Sequence, residues 1–135
     1  MKEINLIKKY RKLRNMTQKQ VGDAVGITDV AVRQYELFKR KPKDEILRKI
    51  AKALNVKFSY LKEPRYPYKS DEIFNILVKY EEKCNIDILE TQNNVCIRIA
   101  DDKIKSKLLE WSKLKNKLYN KEITQEEYEI EKANL

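Results

Sequence analysis

The stretch TQKQVGDAVGITDVAVRQYE, residues 17–36, decides the fold. It begins as an amphipathic helix, with Val21, Ala24 and Val25 at helical spacing. Gly26-Ile27-Thr28 then interrupts it, and a second helical pattern starts at once, with Val32 and Tyr35 apolar and Asp29, Arg33 and Gln34 polar. Two short helices joined by a tight Gly-containing turn cross at a steep angle, the helix-turn-helix arrangement whose second helix fits the major groove of B-DNA. Gly26 suits the turn because a positive φ costs it little, and the small Gly22 lets the two helices approach. With Val32 and Tyr35 turned inward, Thr28, Asp29, Val30, Arg33 and Gln34 are left facing outward.

The flanks supply a bundle for this unit to sit in. Residues 4–14 place Leu6, Tyr10 and Leu13 on one helical face. Thr17-x-x-Gln20 is a capping box that starts the second helix, with Met16 and Val21 where a hydrophobic staple forms. The third helix spans residues 28–36. Residues 44–54 carry Ile46, Leu47, Ile50, Ala51 and Leu54 at helical spacing, and Val56, Phe58 and Leu61 close the core with a short last turn. EPRYPYKS, residues 63–70, holds two of the three prolines and reads as a stiff linker at 64–70.

Beyond the linker the pattern changes. Ser70-Asp71-Glu72 precedes a helix carrying Ile73, Phe74, Leu77 and Tyr80. Residues 86–99, IDILETQNNVCIRI, alternate with period two, and Gln92-Asn93-Asn94 supplies a turn in which Asn accepts positive φ. This predicts a β-hairpin, which is marginal alone and calls for helices or another subunit. A helix over 102–119 places Ile104, Leu108, Trp111, Leu114 and Leu118 in a stripe that reads as core, and Thr124-x-x-Glu127 is a second capping box before a short acidic helix with Tyr128 and Ile130. The expected fold class is mainly α: a five-helix domain over 1–63, a linker over 64–70 and a small α+β domain over 71–135.

The charge is +9, and it is unevenly placed: residues 1–64 hold 17 Lys/Arg against 7 Asp/Glu, while residues 65–135 hold 13 against 14. A basic domain beside a near-neutral one points to a polyanion for the first half. The chain has no histidine and two cysteines, so a multi-ligand zinc site is excluded and no metal or cofactor is expected. There is no Gly-rich phosphate loop, no nucleophile beside a base and no catalytic carboxylate pair, so no catalytic residue is expected. No apolar run approaches the roughly 18–20 residues of a membrane span, and MKEINLIKKYRK lacks the apolar stretch of a signal peptide. These features predict a cytoplasmic protein, nucleoid-associated in a bacterium or in the host cytoplasm if phage-encoded, with Cys84 and Cys96 as reduced thiols.

Residues 7–61 resemble the lambda-repressor/Cro-like helix-turn-helix domains of the XRE family. The residues that carry the resemblance are Arg11 and Arg14, Met16-Thr17-Gln18, Val25-Gly26-Ile27-Thr28, Glu36, Lys39-Arg40-Lys41-Pro42, Ala51-x-Ala53-Leu54-x-Val56 and Leu61. The resemblance implies that Asp29, Val30, Arg33 and Gln34 read base edges. Arg33 suits guanine, Gln34 suits adenine and Val30 a thymine methyl; Asp29 either accepts from cytosine or repels misplaced phosphates. It implies phosphate contacts for Gln18, Thr28, Lys39, Arg40, Lys41 and Lys43, and an internal pair between Arg11 and Glu36. The chain departs from the family at Phe38, where members usually carry Gly; either helix three runs longer, or Phe38 meets DNA or another subunit. The segment after Trp111 is similar, more loosely, to the tails of regulators from Gram-positive bacteria and their mobile elements.

The resemblance implies a sequence-specific transcriptional regulator of double-stranded DNA, a repressor; the small size of residues 71–135 and the roughly 34 Å spacing of half-sites predict that it acts as a homodimer through that half. A second reading is a protein-binding inhibitor or antitoxin, such as a mobile-element anti-defence protein, that also represses its own gene.

Overall fold

The computed structural model describes residues 3–62, the backbone of Arg65 and Tyr66, and residues 68–135. Glu63, Pro64 and Pro67 of the expected linker lie outside the described residues. Two units are resolved. The first gathers the described residues up to Tyr66 together with Ile123–Asn134; the second is Tyr68–Glu122.

The first unit starts with a strand where a helix was expected. Ile4–Asn5 (β1) pairs antiparallel with Arg65–Tyr66 (β2), in the register Ile4↔Tyr66 and Asn5↔Arg65. Helix α1, Leu6–Leu13, therefore begins two residues later than its apolar spacing suggests. Asn5 explains the start: its side-chain oxygen accepts from the Lys8 N–H at 3.0 Å, an N-cap, and its Nδ2 donates to the Tyr35 carbonyl at 3.0 Å. The linker is thus partly ordered by β2.

Helix α2, Gln18–Val25, opens with the complete Thr17/Gln20 capping box and ends at Gly26, whose φ is 80°. Helix α3, Asp29–Glu36, is capped by the Thr28 hydroxyl, which accepts from the Ala31 N–H at 3.1 Å. Helix α4, Asp44–Leu54, and the single turn α5, Phe58–Leu61, complete five helices. The core is Leu6, Ile7 and Tyr10 of α1, Val21 and Val25 of α2, Val32 and Tyr35 of α3, and Leu47, Ile50, Ala51, Leu54, Val56 and Leu61. Each expected inward residue of the decisive stretch other than Ala24 is in that core.

Helix α3 does not run past Glu36. Phe38 adopts φ 57°, and its N–H donates to the Tyr35 carbonyl at 3.2 Å while the Lys39 N–H donates to the Gln34 carbonyl at 3.0 Å. These are the two hydrogen bonds of a Schellman ending, with Phe38 where Gly is usual. The left-handed conformation costs a non-glycine residue about 1–2 kcal/mol, and the ending offsets it by satisfying two carbonyls.

The second unit contains helix α6, Ser70–Lys79, a short α7, Glu81–Cys84, the hairpin strands β3, Ile86–Glu90, and β4, Val95–Ile99, and helix α8, Asp102–Tyr119. The hairpin register pairs Ile86↔Ile99, Ile88↔Ile97 and Glu90↔Val95, which puts its isoleucines on one face. Its turn is held differently from expectation. Neither Asn93 nor Asn94 has positive φ; instead Thr91 N–H donates to the Asn94 carbonyl at 2.8 Å and Asn94 N–H donates to the Thr91 hydroxyl at 3.2 Å. The stripe on α8 is not core: Trp111 is 41% exposed and only Leu114 is buried.

The last helix, α9, Gln125–Lys132, starts at the Thr124/Glu127 capping box. The sequence places it with residues 71–122, whereas in the structure it packs on α1. Tyr10, fully buried, donates its hydroxyl to the Glu129 carbonyl at 3.1 Å and meets Tyr60 edge-on at 5.9 Å between ring centres. Lys9 and Lys132 both donate to the Glu129 carboxylate, at 2.7 and 2.9 Å, and Ala133 is 1% exposed in the core. Burial pushes the Glu129 carboxyl up, but the bonds and charges of Lys9 and Lys132 more than offset this and hold it below its ordinary value.

Two predictions concern this unit. A Cβ on Gly22 would stand 2.7 Å from the Ile27 carbonyl oxygen and 3.2 Å from the Thr28 carbonyl carbon. Overpacking costs about 1–3 kcal/mol, and alanine's better helix propensity returns about 1, so Gly22→Ala lowers the midpoint of urea unfolding; an unchanged or higher midpoint would show that the turn yields freely. For Glu129, a lowered folded pKa means that its contribution is complete above the ordinary 4.5 and is lost as pH falls through the folded value. The stability gap between the native chain and Glu129→Gln, measured by urea unfolding, is therefore constant near neutrality and closes below pH 4.5. A gap that does not narrow as the pH falls below 4.5 would contradict the pairing.

Candidate nucleic-acid interface

The site is built on one buried carboxylate. Glu36, at the end of α3, is 5% exposed and accepts from Arg11 Nε at 2.5 Å, from Arg11 Nη2 at 3.0 Å and from the Gln18 amide at 2.9 Å. Arg11 also donates from Nη1 to the Met16 carbonyl at 2.8 Å. Helices α1, α2 and α3 thus meet at one charge. The hydrogen bond to Glu36 raises the Arg11 guanidinium further above its already high value, against the opposing effect of burial, so the guanidinium stays charged at any working pH. Asn5 holds the same end of α3 through the Tyr35 carbonyl. Sequence reading passed over Asn5, although an Asn before an apolar helical pattern is a strong N-cap signal.

The outward face of α3 follows from this anchoring. Thr28, Asp29, Val30 and Arg33 are exposed, Val30 to 58%, and Gln34 is half-buried. Val32 and Tyr35, on the opposite side, are in the core. Among the described residues no carboxylate lies within ion-pair distance of Arg33, Lys39, Arg40, Lys41 or Lys43. Their charge is therefore available to an outside anion. Pro42 is buried within the basic run and pins it against the unit, while Lys39, Arg40, Lys41 and Lys43 on either side remain exposed. Lys43 precedes α4 as its N-cap residue without a side-chain cap bond.

Gln18 and Thr28 each have one internal obligation and capacity to spare. The Gln18 amide donates one N–H to Glu36 and keeps a second. The Thr28 hydroxyl accepts from Ala31 and keeps its own proton to donate. Arrayed together are a planar guanidinium fork, an amide, a carboxylate and a methyl-bearing side chain on one helix, flanked by mobile-headed cations. That combination matches base edges in a groove and phosphates beside it.

The family model described as Helix-turn-helix matches residues 7–61. Among solved structures, the P22 c2 repressor protein, crystallised in complex with synthetic operator 9T in the presence of Tl+, is 34% identical, covering 41% of this chain and 83% of that one with a TM-score of 0.40. No curated protein matches. The family match coincides with α1 to α5, so residues 7–61 form a domain similar to that helix-turn-helix family.

Proposed function

We propose that the protein is a sequence-specific transcriptional regulator of double-stranded DNA, a repressor that acts as a homodimer and inserts α3 into the major groove. The observation that carries this reading is the exposed face of α3, held at its far end by the buried Glu36 and bordered by cations that have no carboxylate partner among the described residues. The relative crystallised on an operator supports the same class of ligand. In this reading Asp29, Val30, Arg33 and Gln34 face base edges. Gln18, Thr28, Lys39, Arg40, Lys41 and Lys43 face phosphates, which supply affinity and register without sequence preference. Two copies are needed because half-sites one helical turn apart, about 34 Å, are reached by a two-fold dimer. The exposed apolar side chains of Tyr68–Glu122 support that unit as the place where the copies meet.

The test is fluorescence anisotropy on DNA from upstream of the protein's own gene, with a scrambled duplex of equal composition, at two salt concentrations. Arg33→Ala is expected to cost about 1–3 kcal/mol on the true operator and little on scrambled DNA. Equal losses on both would remove Arg33 from base reading. Lys41→Ala is expected to weaken both duplexes alike and to reduce the salt slope by about 1. A native chain that binds both duplexes equally, with salt abolishing both, would overturn the reading.

A further inference from the structure

The second unit leaves its apolar residues uncovered. Fourteen large apolar side chains between Tyr68 and Tyr119 are 41–86% exposed. Helix α6 has no buried residue at all, and α8 has only Leu114. On a monomer the largest apolar patch is usually about 300–600 Å², and aromatic side chains such as Phe74 and Trp111 bury about 150–250 Å² each. Phe74 and Val78 on α6, and Leu108 and Trp111 on α8, are apolar side chains left exposed for a partner.

Charge divides the same unit in two. Residues 70–90, spanning α6 to β3, carry 6 acidic and 2 basic residues; residues 98–121, spanning the end of β4 and α8, carry 8 basic and 3 acidic. The division is visible on single faces. Asp71, Phe74 and Val78 lie at i, i+3 and i+7 on α6, and Glu81 follows at the start of α7. On α8, Lys107, Trp111 and Lys115 lie at i, i+4 and i+8, with Leu108 beside them. One row reads acid, apolar, apolar, acid; the other reads base, apolar, base. Leu108, Trp111, Ser112, Lys115 and Asn116 line a shallow groove along α8.

Resting on the homodimer reading above, we infer that the α6 row of one copy seats in the α8 groove of a second copy, and reciprocally. A two-fold contact of this kind is self-complementary because each copy supplies both rows. It covers Phe74, Val78, Leu108 and Trp111 and sets carboxylates opposite ammonium groups at both ends. Pairing α6 with α6, or α8 with α8, would bring like charges together, which disfavours both.

Sedimentation velocity on the full chain and two charge-reversed variants tests this. The first variant is Asp71→Lys with Glu81→Lys; the second is Lys107→Glu with Lys115→Glu. The native chain is expected to sediment as a dimer, and each variant alone to have a dissociation constant raised by at least about tenfold. An equimolar mixture of the two is expected to recover the dimer, because the reversed α6 of one then meets the reversed α8 of the other; recovery also shows that both variants fold. A monomeric native chain would overturn the homodimer reading itself. A dimeric native chain whose variants also dimerise fully, or whose mixture fails to recover, would overturn the α6-to-α8 exchange while leaving the dimer in place.

Discussion

The first unit depends on the buried carboxylate of Glu36. Three helices contribute to one set of bonds around it: Arg11 from α1, Gln18 from α2 and Glu36 itself at the end of α3. A buried ion pair earns little net stability over an apolar replacement, but removing one partner leaves an uncompensated charge and costs about 3–5 kcal/mol. What the arrangement secures is direction. The last turn of α3 is fixed by Glu36 and by the Asn5 amide on the Tyr35 carbonyl, and its first turn by Thr28 and by the close passage of the turn over Gly22. A helix held at both ends presents Asp29, Val30 and Arg33 at fixed angles.

Helix endings show how the chain manages with two glycines. Gly26 takes the left-handed position after α2, where nothing would meet an added Cβ, while Gly22 is spent on close approach. The other left-handed endings fall to Asn15, Asn55 and Asn85, and to Phe38 and Lys121. Asparagine tolerates that region better than most residues. Phe38 and Lys121 do not have that advantage, and at Phe38 the strain sits directly before the basic run.

What was legible in the sequence was local. Thr17 with Gln20 and Thr124 with Glu127 are capping boxes whose whole logic lies within four residues, and both form. Val32 and Tyr35 are inward because a 3.6-residue period leaves them little choice, and the period-two run over 86–99 determines its own register. What was not legible depends on partners far along the chain. Ile4–Asn5 looks helical until Arg65–Tyr66 pairs with it. Nothing in QEEYEIEK announces that Glu129 will meet Lys9 or that Tyr10 will point its hydroxyl there. The types of residue on α3 were readable, and so was their outward side. The Gln18 bond to Glu36 was not, because it joins side chains 18 positions apart. Trp111 misled because a helical stripe records only that a face wants cover, not whether the same chain supplies it.

The seat of α9 on α1 gives the protein an unusual order of assembly. Most of the unit built around Glu36 has been synthesised once Leu61 is made, yet Glu129, which accepts from Tyr10, and Ala133, which joins its core, lie more than 60 residues further on. At about 5–20 residues per second this is a delay of roughly 3–12 seconds. During that interval the Glu129 carbonyl and carboxylate that Tyr10 and Lys9 bond have yet to be made. The whole of the 68–122 segment is synthesised while the unit that precedes it stands open on one side, so the end of the chain determines when its beginning becomes native.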